Sequence, residues 1–149
     1  MQFISSHSKN YFHQLQRQFS SSATKKTVAV FMMNLGGPNS REEVPGFLER
    51  FFADDTIIRI PFKLGPYIGK LRGPYKVTKQ YEEIGGFSPI LEITNNQGKE
   101  MVEILNERDD QFNYVFYPAF RYGHPLYHDS FEQCFKEHKD NIHKLVLFP

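Results

Sequence analysis

A parallel α/β sheet flanked by helices is the fold class this chain predicts, and three observations predict it. Apolar runs rich in β-branched and aromatic residues recur at Thr27–Leu35, Phe112–Phe120 and Lys144–Phe148. Segments with apolar residues at helical spacing lie between them. The first run ends abruptly in Gly36-Gly37-Pro38. Strand, helices, strand, helix, strand is the order of a parallel α/β sheet.

Taken in order, Thr27–Leu35 (TVAVFMMNL) is continuously apolar, which favours a strand buried on both faces. Its paired glycines bring backbone close to whatever fills a pocket at the strand's carboxyl end. Val44, Phe47, Leu48, Phe51 and Phe52 then fall at i, i+3, i+4, i+7 and i+8, one face of a helix. Ser40 and Glu43 have the spacing of a capping box, although Pro45 sits one position too deep for it, so the first turn stays open. Residues 57–71 read as short helical turns broken by Pro and Gly, and a further helical piece runs from about Lys76 to Ile84. Ser88 is placed to cap the next helix and Pro89 to open it, with Ile90, Ile93, Met101, Ile104 and Leu105 along it. After the Phe112–Phe120 strand, Phe131, Cys134 and Phe135 mark a helix between about Tyr127 and His138, and Lys144–Phe148 begins the third strand. Pro149 follows that strand directly, leaving it without helix cover, and three strands are too few to bury both faces of a sheet. The expectation is a truncated product or a partial sequence.

The 149 residues hold at most one ordinary domain, and a 40% hydrophobic content can fill its core. A net charge of +1 with no dense Lys/Arg cluster after residue 26 argues against a nucleic-acid partner. The single cysteine, Cys134, can form no internal disulfide framework and cannot alone hold a metal or an iron–sulfur cluster; it reads as a buried thiol. No apolar stretch is long enough to span a bilayer. Residues 1–26 differ from the rest. They contain no Asp or Glu, carry Lys9, Arg17, Lys25 and Lys26, and repeat serine at positions 5, 6, 8, 20, 21 and 22. If helical, Lys9, His13 and Arg17 stack on one side, with Tyr11 and Leu15 opposite. This is a mitochondrial transit-peptide pattern, with cleavage expected after Phe19; the alternative is a polar tail of chance composition.

Three separated blocks carry a further signal: Met33-Asn34-Leu35-Gly36-Gly37-Pro38, Tyr81–Ile90 (YEEIGGFSPI) and Phe120–Pro125 (FRYGHP). Together, in this order and spacing, they make residues 28–149 resemble the front part of a ferrochelatase, under half of that family's length. The resemblance implies a Rossmann-like, chelatase-like parallel sheet, here truncated, with residues 27–149 as an incomplete N-terminal part of the domain. It implies insertion of ferrous iron into protoporphyrin IX, the last step of haem biosynthesis.

On the same basis Arg72, Tyr81 and Ser88 contact the porphyrin propionates; Leu35, Phe52 and Ile57, close to the strand end and the first helix, are the candidates for the apolar cavity wall that such a flat macrocycle needs. A guanidinium fork matches a carboxylate, and the two hydroxyls add neutral hydrogen bonds. Two departures from the family pattern are Leu71 in place of a basic residue and one extra residue, Tyr75, before Lys76. Arg121 and Tyr122 match the pair on the metal-entry side of the cavity, and a guanidinium is no metal ligand. The apolar residues of Phe51–Leu71 suit a membrane-interface lip, with Lys63, Lys70 and Arg72 reaching to headgroups.

The family's catalytic histidine and partner glutamate fall beyond residue 149, as do the cysteines that hold a 2Fe-2S cluster in many full-length members. No catalytic residue and no bound cofactor are therefore expected in this chain, which alone should be inactive and poorly folded. The implied setting is the matrix side of the inner mitochondrial membrane, with a homodimer when full length. Read without the resemblance, Arg72 is a solvated charge, Tyr81 a core aromatic and the lip an ordinary core with a loop. His124 and His128 stand four apart, but Pro125 and the lack of a completing ligand speak against zinc. The acid pairs Glu82-Glu83 and Asp109-Asp110 read as solvated. Two other functions stay open: a non-catalytic porphyrin- or membrane-surface-binding protein of the same fold, and an unrelated soluble α/β domain.

Overall fold

In the computed structural model, which describes residues 25–59, 64–71 and 73–149, three parallel strands stand in the order β2-β1-β3. They are β1 (Lys26–Asn34), β2 (Phe112–Phe120) and β3 (Ile142–Phe148). β1 pairs with β2 from Lys26↔Phe112 to Asn34↔Phe120, and with β3 from Thr27↔Ile142 to Met32↔Phe148. Its middle position explains its composition: Val28, Ala29, Val30, Phe31 and Met32 are all buried, because both faces of a central strand are covered. The predicted α/β class is the observed one, and β2 has the predicted bounds. The leader and its cleavage point, apart from Lys25 and Lys26, lie outside the described residues, as do Arg72 and the lip residues Ile60, Phe62 and Lys63.

Among the described residues, five helices follow from the periodicity: α1 (Val44–Ala53), α2 (Gly65–Leu71), α3 (Gly73–Glu83), α4 (Ile90–Arg108) and α5 (Tyr127–His138). Side chains alternate across a strand, so odd-numbered Ala29, Phe31 and Met33 of β1 share a face with Val115, Tyr117 and Ala119 of β2. Phe131 and Cys134 of α5 complete that core, with Phe31 stacked on Phe131 at 4.1 Å and on Tyr117 at 5.5 Å. Gly98 of α4 lies against the Phe116 ring, which points to the other face. One helix therefore covers each side of the sheet.

Helices α1, α2 and α3 pack on one another beyond the carboxyl ends of the strands. Gly69 lets α2 approach α1 backbone to backbone: a Cβ there would lie 2.8 Å from the Leu48 carbonyl oxygen. That contact turns Tyr67 and Leu71 outward, where they are 66% and 81% exposed. No helix among the described residues is long and apolar enough to cross a membrane.

Three local expectations need correction. Ser40 makes no cap bond, because a 3-10 turn at Arg41–Glu43 precedes α1 and Glu43 Oε2 instead accepts the Asn39 amide at 2.9 Å. Pro45 then falls in the first turn of α1, where its missing N–H costs nothing. Helix α3 begins at Gly73 rather than near Lys76. Asp109 is no free charge: it accepts the Gln111 amide at 2.9 Å and the Tyr114 hydroxyl at 2.8 Å.

Candidate functional site

The site is built on the turn that ends β1. Gly36 has φ +75°, a backbone conformation that favours glycine, and a Cβ on it would lie 2.6 Å from Phe120 Cβ. A Cβ on Gly37 would lie 2.5 Å from Ser88 Oγ. These contacts pull three loops together at the carboxyl ends of β1 and β2, where open α/β sheets place their ligands. From the β2 side, the Arg121 amide donates to the Asn34 carbonyl and the Tyr122 amide to the Leu35 carbonyl, each at 3.0 Å. From the α3–α4 loop, the Ser88 amide donates to the Pro38 carbonyl at 2.8 Å. Asn39 Nδ2 donates to the His124 carbonyl at 2.9 Å.

Ser88 Oγ accepts the Ile90 amide at 3.4 Å, but α4 begins at Ile90 with Pro89 flanking it and no side-chain cap bond, so the expected serine cap and opening proline each fall one position short of the helix. It lines a hollow of about 350 Å³ with Asn39, Phe87, Leu91, Asn95 and Lys99. Tyr81 stands at the end of α3, half-buried, and that burial raises its hydroxyl above the ordinary tyrosine value. Its carbonyl accepts the Gly86 amide, which ties it to the loop carrying Ser88. Of the proposed apolar wall, Leu35 follows β1 directly, Phe52 lies in the last turn of α1, and Ile57 lies in the turn beyond it. Leu35 and Ile57 are 47% and 43% exposed rather than packed in the core.

Arg121 and Tyr122 line a second hollow of about 520 Å³ with Arg50, Asp54, Tyr127 and His128. Tyr122 is buried against Phe51, ring edge to face at 5.3 Å, and its hydroxyl donates to Asp54 Oδ2 at 2.6 Å. Burial first and that bond second push Tyr122 up to about 12. Arg121 pairs with the same carboxylate oxygen at 2.5 Å and donates to Thr56 Oγ1 at 3.1 Å. Asp54 Oδ1 accepts the Thr56 hydroxyl at 2.5 Å and amide at 2.9 Å. The Thr56 hydroxyl, then Tyr122, then the Thr56 amide, hold the Asp54 carboxyl well below the usual carboxylate range. The sequence reading missed Asp54 as a site residue. An Asp whose side chain bonds the amide two residues on is a turn signal, legible in Asp54-Asp55-Thr56, but nothing local announces a partner 68 positions away.

The structure thus joins Ser88, Leu35, Arg121 and Tyr122 through one glycine turn, while Ser88 and the Arg121–Tyr122 pair face separate hollows. His124 and His128 both approach Asp129, at 3.9 and 3.2 Å. Among the described residues, no group of three or more His, Cys, Asp or Glu could hold a metal ion. Cys134 is buried in the α5 core with its thiol pushed up chiefly by burial, and as the single cysteine it does not fit an iron–sulfur cluster.

The ferrochelatase family model matches residues 27–149. The mitochondrial ferrochelatase of Bos taurus is 39% identical over 127 residues, covering 83% of this chain and 30% of that protein. The mitochondrial ferrochelatase of Schizosaccharomyces pombe is 41% identical over 128 residues, 83% of this chain and 29% of its own length. The ferrochelatase of Gloeobacter violaceus is 40% identical over 127 residues, 82% of this chain and 37% of its length. The chain spans about a third of the length of the curated relatives it matches.

Proposed function

Because the chain belongs to the ferrochelatase family, we propose that it forms the porphyrin-binding edge of an enzyme that inserts ferrous iron into protoporphyrin IX. The observation that carries this reading is the loop cluster at the carboxyl end of β1, which lies within the matched residues 27–149 and holds Leu35, Ser88, Arg121 and Tyr122.

Insertion removes two pyrrole protons as the ring nitrogens bind the metal. This chain's share is binding and orientation. Arg72, Tyr81 and Ser88 hold the two propionates, with a charged fork offsetting one of the two carboxylate charges and two neutral hydroxyls adding hydrogen bonds. Leu35, Phe52 and Ile57 press the macrocycle, and distortion toward the metallated shape is binding energy directed at the transition state. The bases that take the pyrrole protons come from outside these residues, so the chain by itself does not turn over.

Exposed Leu64, Tyr67 and Leu71 around α2 support a lip resting in a membrane interface, through which an apolar substrate reaches the hollow. The acid-free leader supports mitochondrial import, and we place the protein at the matrix face of the inner membrane. The homodimer and the 2Fe-2S cluster belong to the reading of the full-length protein. Fluorescence titration with protoporphyrin IX tests it: saturable binding is expected, weakened in Arg72→Ala and Ser88→Ala, with no iron insertion by the chain alone. Absence of binding, or iron insertion by these 149 residues, overturns it.

A further inference from the structure

We propose that Asp54 is the positioning residue that aims Arg121 and Tyr122 as one unit. This rests on the reading of those two residues as a cavity pair and adds how they are held there. The carboxylate sits where the end of α1 meets the loop after β2. Its Oδ2 takes both the Tyr122 hydroxyl, at 2.6 Å, and the Arg121 guanidinium, at 2.5 Å. Its Oδ1 is fixed by the Thr56 hydroxyl at 2.5 Å and amide at 2.9 Å, so it cannot turn to follow either partner. On the opposite side, Arg50 Nε donates to the Tyr122 carbonyl at 2.8 Å and pins the loop backbone to the same helix.

Three consequences follow. The Tyr122 proton is committed to Asp54, leaving the hydroxyl oxygen as an acceptor toward the hollow. The guanidinium lies over the Tyr122 ring, 5.6 Å from its centroid, while the side chain stays half exposed. The local charge of the pair is balanced, so the hollow presents a neutral rim in place of a lone cation. Asp55, Arg50 and His128 also line this hollow, and none of them bonds to both partners.

The experiment labels tyrosine Cζ and aspartate Cγ in the chain and follows their ionisation by NMR, with Arg121 reactivity read by phenylglyoxal modification and peptide mapping. The expected result is a Tyr122 midpoint near 12 that falls part of the way toward 10 in Asp54→Asn, with faster modification of Arg121. Asp55→Asn changes neither. Asp54→Glu, which keeps the charge one methylene further out, restores part of the Tyr122 shift. An unmoved Tyr122 midpoint or unmoved Arg121 reactivity in Asp54→Asn overturns the proposal. Should that variant not fold, the unsubstituted chain still decides: Asp54 Cγ must titrate well below an ordinary aspartate, and an ordinary midpoint overturns the proposal. Protoporphyrin titration is the separate arm, in which absence of binding counts against the functional reading alone.

Discussion

Gly37 and Ser88 touch across the mouth of the sheet: a methyl in place of the glycine hydrogen would sit 2.5 Å from both Ser88 Cβ and Oγ. The serine cannot back away, because its amide is bonded to the carbonyl of Pro38 at 2.8 Å. Gly37→Ala is therefore expected to cost about 1–3 kcal/mol in urea unfolding, as overpacking does. It should also weaken protoporphyrin binding as much as Ser88→Ala. A variant as stable as the parent, with unchanged binding, would show that the two residues are not coupled.

Tyr117 and Glu137 give the fold a stability plateau bounded on both sides. The Tyr117 hydroxyl donates to Glu137 Oε2 at 2.6 Å. That bond chiefly lowers Glu137 below its ordinary 4.5, with Gln133 helping. Burial first, then the same bond, raise Tyr117 well above 10.0. A lowered acid stabilises above its unfolded value and loses the contribution as pH falls; a raised tyrosine stabilises below its unfolded value and loses it as pH rises. The stability difference between the chain and Tyr117→Phe should therefore be flat from about 4.5 to about 10 and shrink outside that window. Urea titrations from about pH 3 to about pH 11 check this.

Phe31 holds the α5 face of the sheet, fully buried between Phe131 and Tyr117. Phe31→Ala is expected to cost about 3–5 kcal/mol, and Phe31→Leu much less, since the second change leaves little empty volume. Differential scanning calorimetry of the two variants measures the gap. Equal losses would mean that the ring stacking, rather than filled volume, sets the energy.

Leu71, at 81% exposed, is the most protruding aliphatic residue among the described residues of the proposed lip. Leu71→Asp should reduce partition onto anionic vesicles about fivefold, the equivalent of roughly 1 kcal/mol of lost apolar contact. Its folding stability should stay within the scatter of surface changes. Co-sedimentation gives the first quantity and thermal unfolding the second. Undiminished vesicle binding would remove α2 from the membrane contact.

How much of this was legible depended on the range of the interactions involved. Strand β2 and helix α5 were readable to the residue, because a β-branched and aromatic run and the Phe131-Cys134-Phe135 spacing each carry their own period. Helix α3 began three residues before its reading, since Gly73-Pro74 looks like a stop although a proline in a first turn is tolerated. Ser40 and Glu43 had the right letters for a capping box, but a 3-10 turn moved the glutamate's partner to Asn39. Asp109 reads as a solvated acid and nothing local marks Asp54 as a site residue, yet each carboxylate accepts a hydrogen bond from a tyrosine hydroxyl. Those pairings depend on where distant segments land, which no local pattern encodes.

Strand β3 is the outermost strand of the described sheet on its side, and Leu145, Leu147 and Phe148 stand exposed along it. A ribbon with free amide and carbonyl groups beside such side chains is adhesive, guarded only by His143 and Lys144. Isolated from any partner, the polypeptide would tend to zip to copies of itself, so its colloidal behaviour should worsen steeply with concentration. A lysine substituted at Leu147 would act as a gatekeeper there.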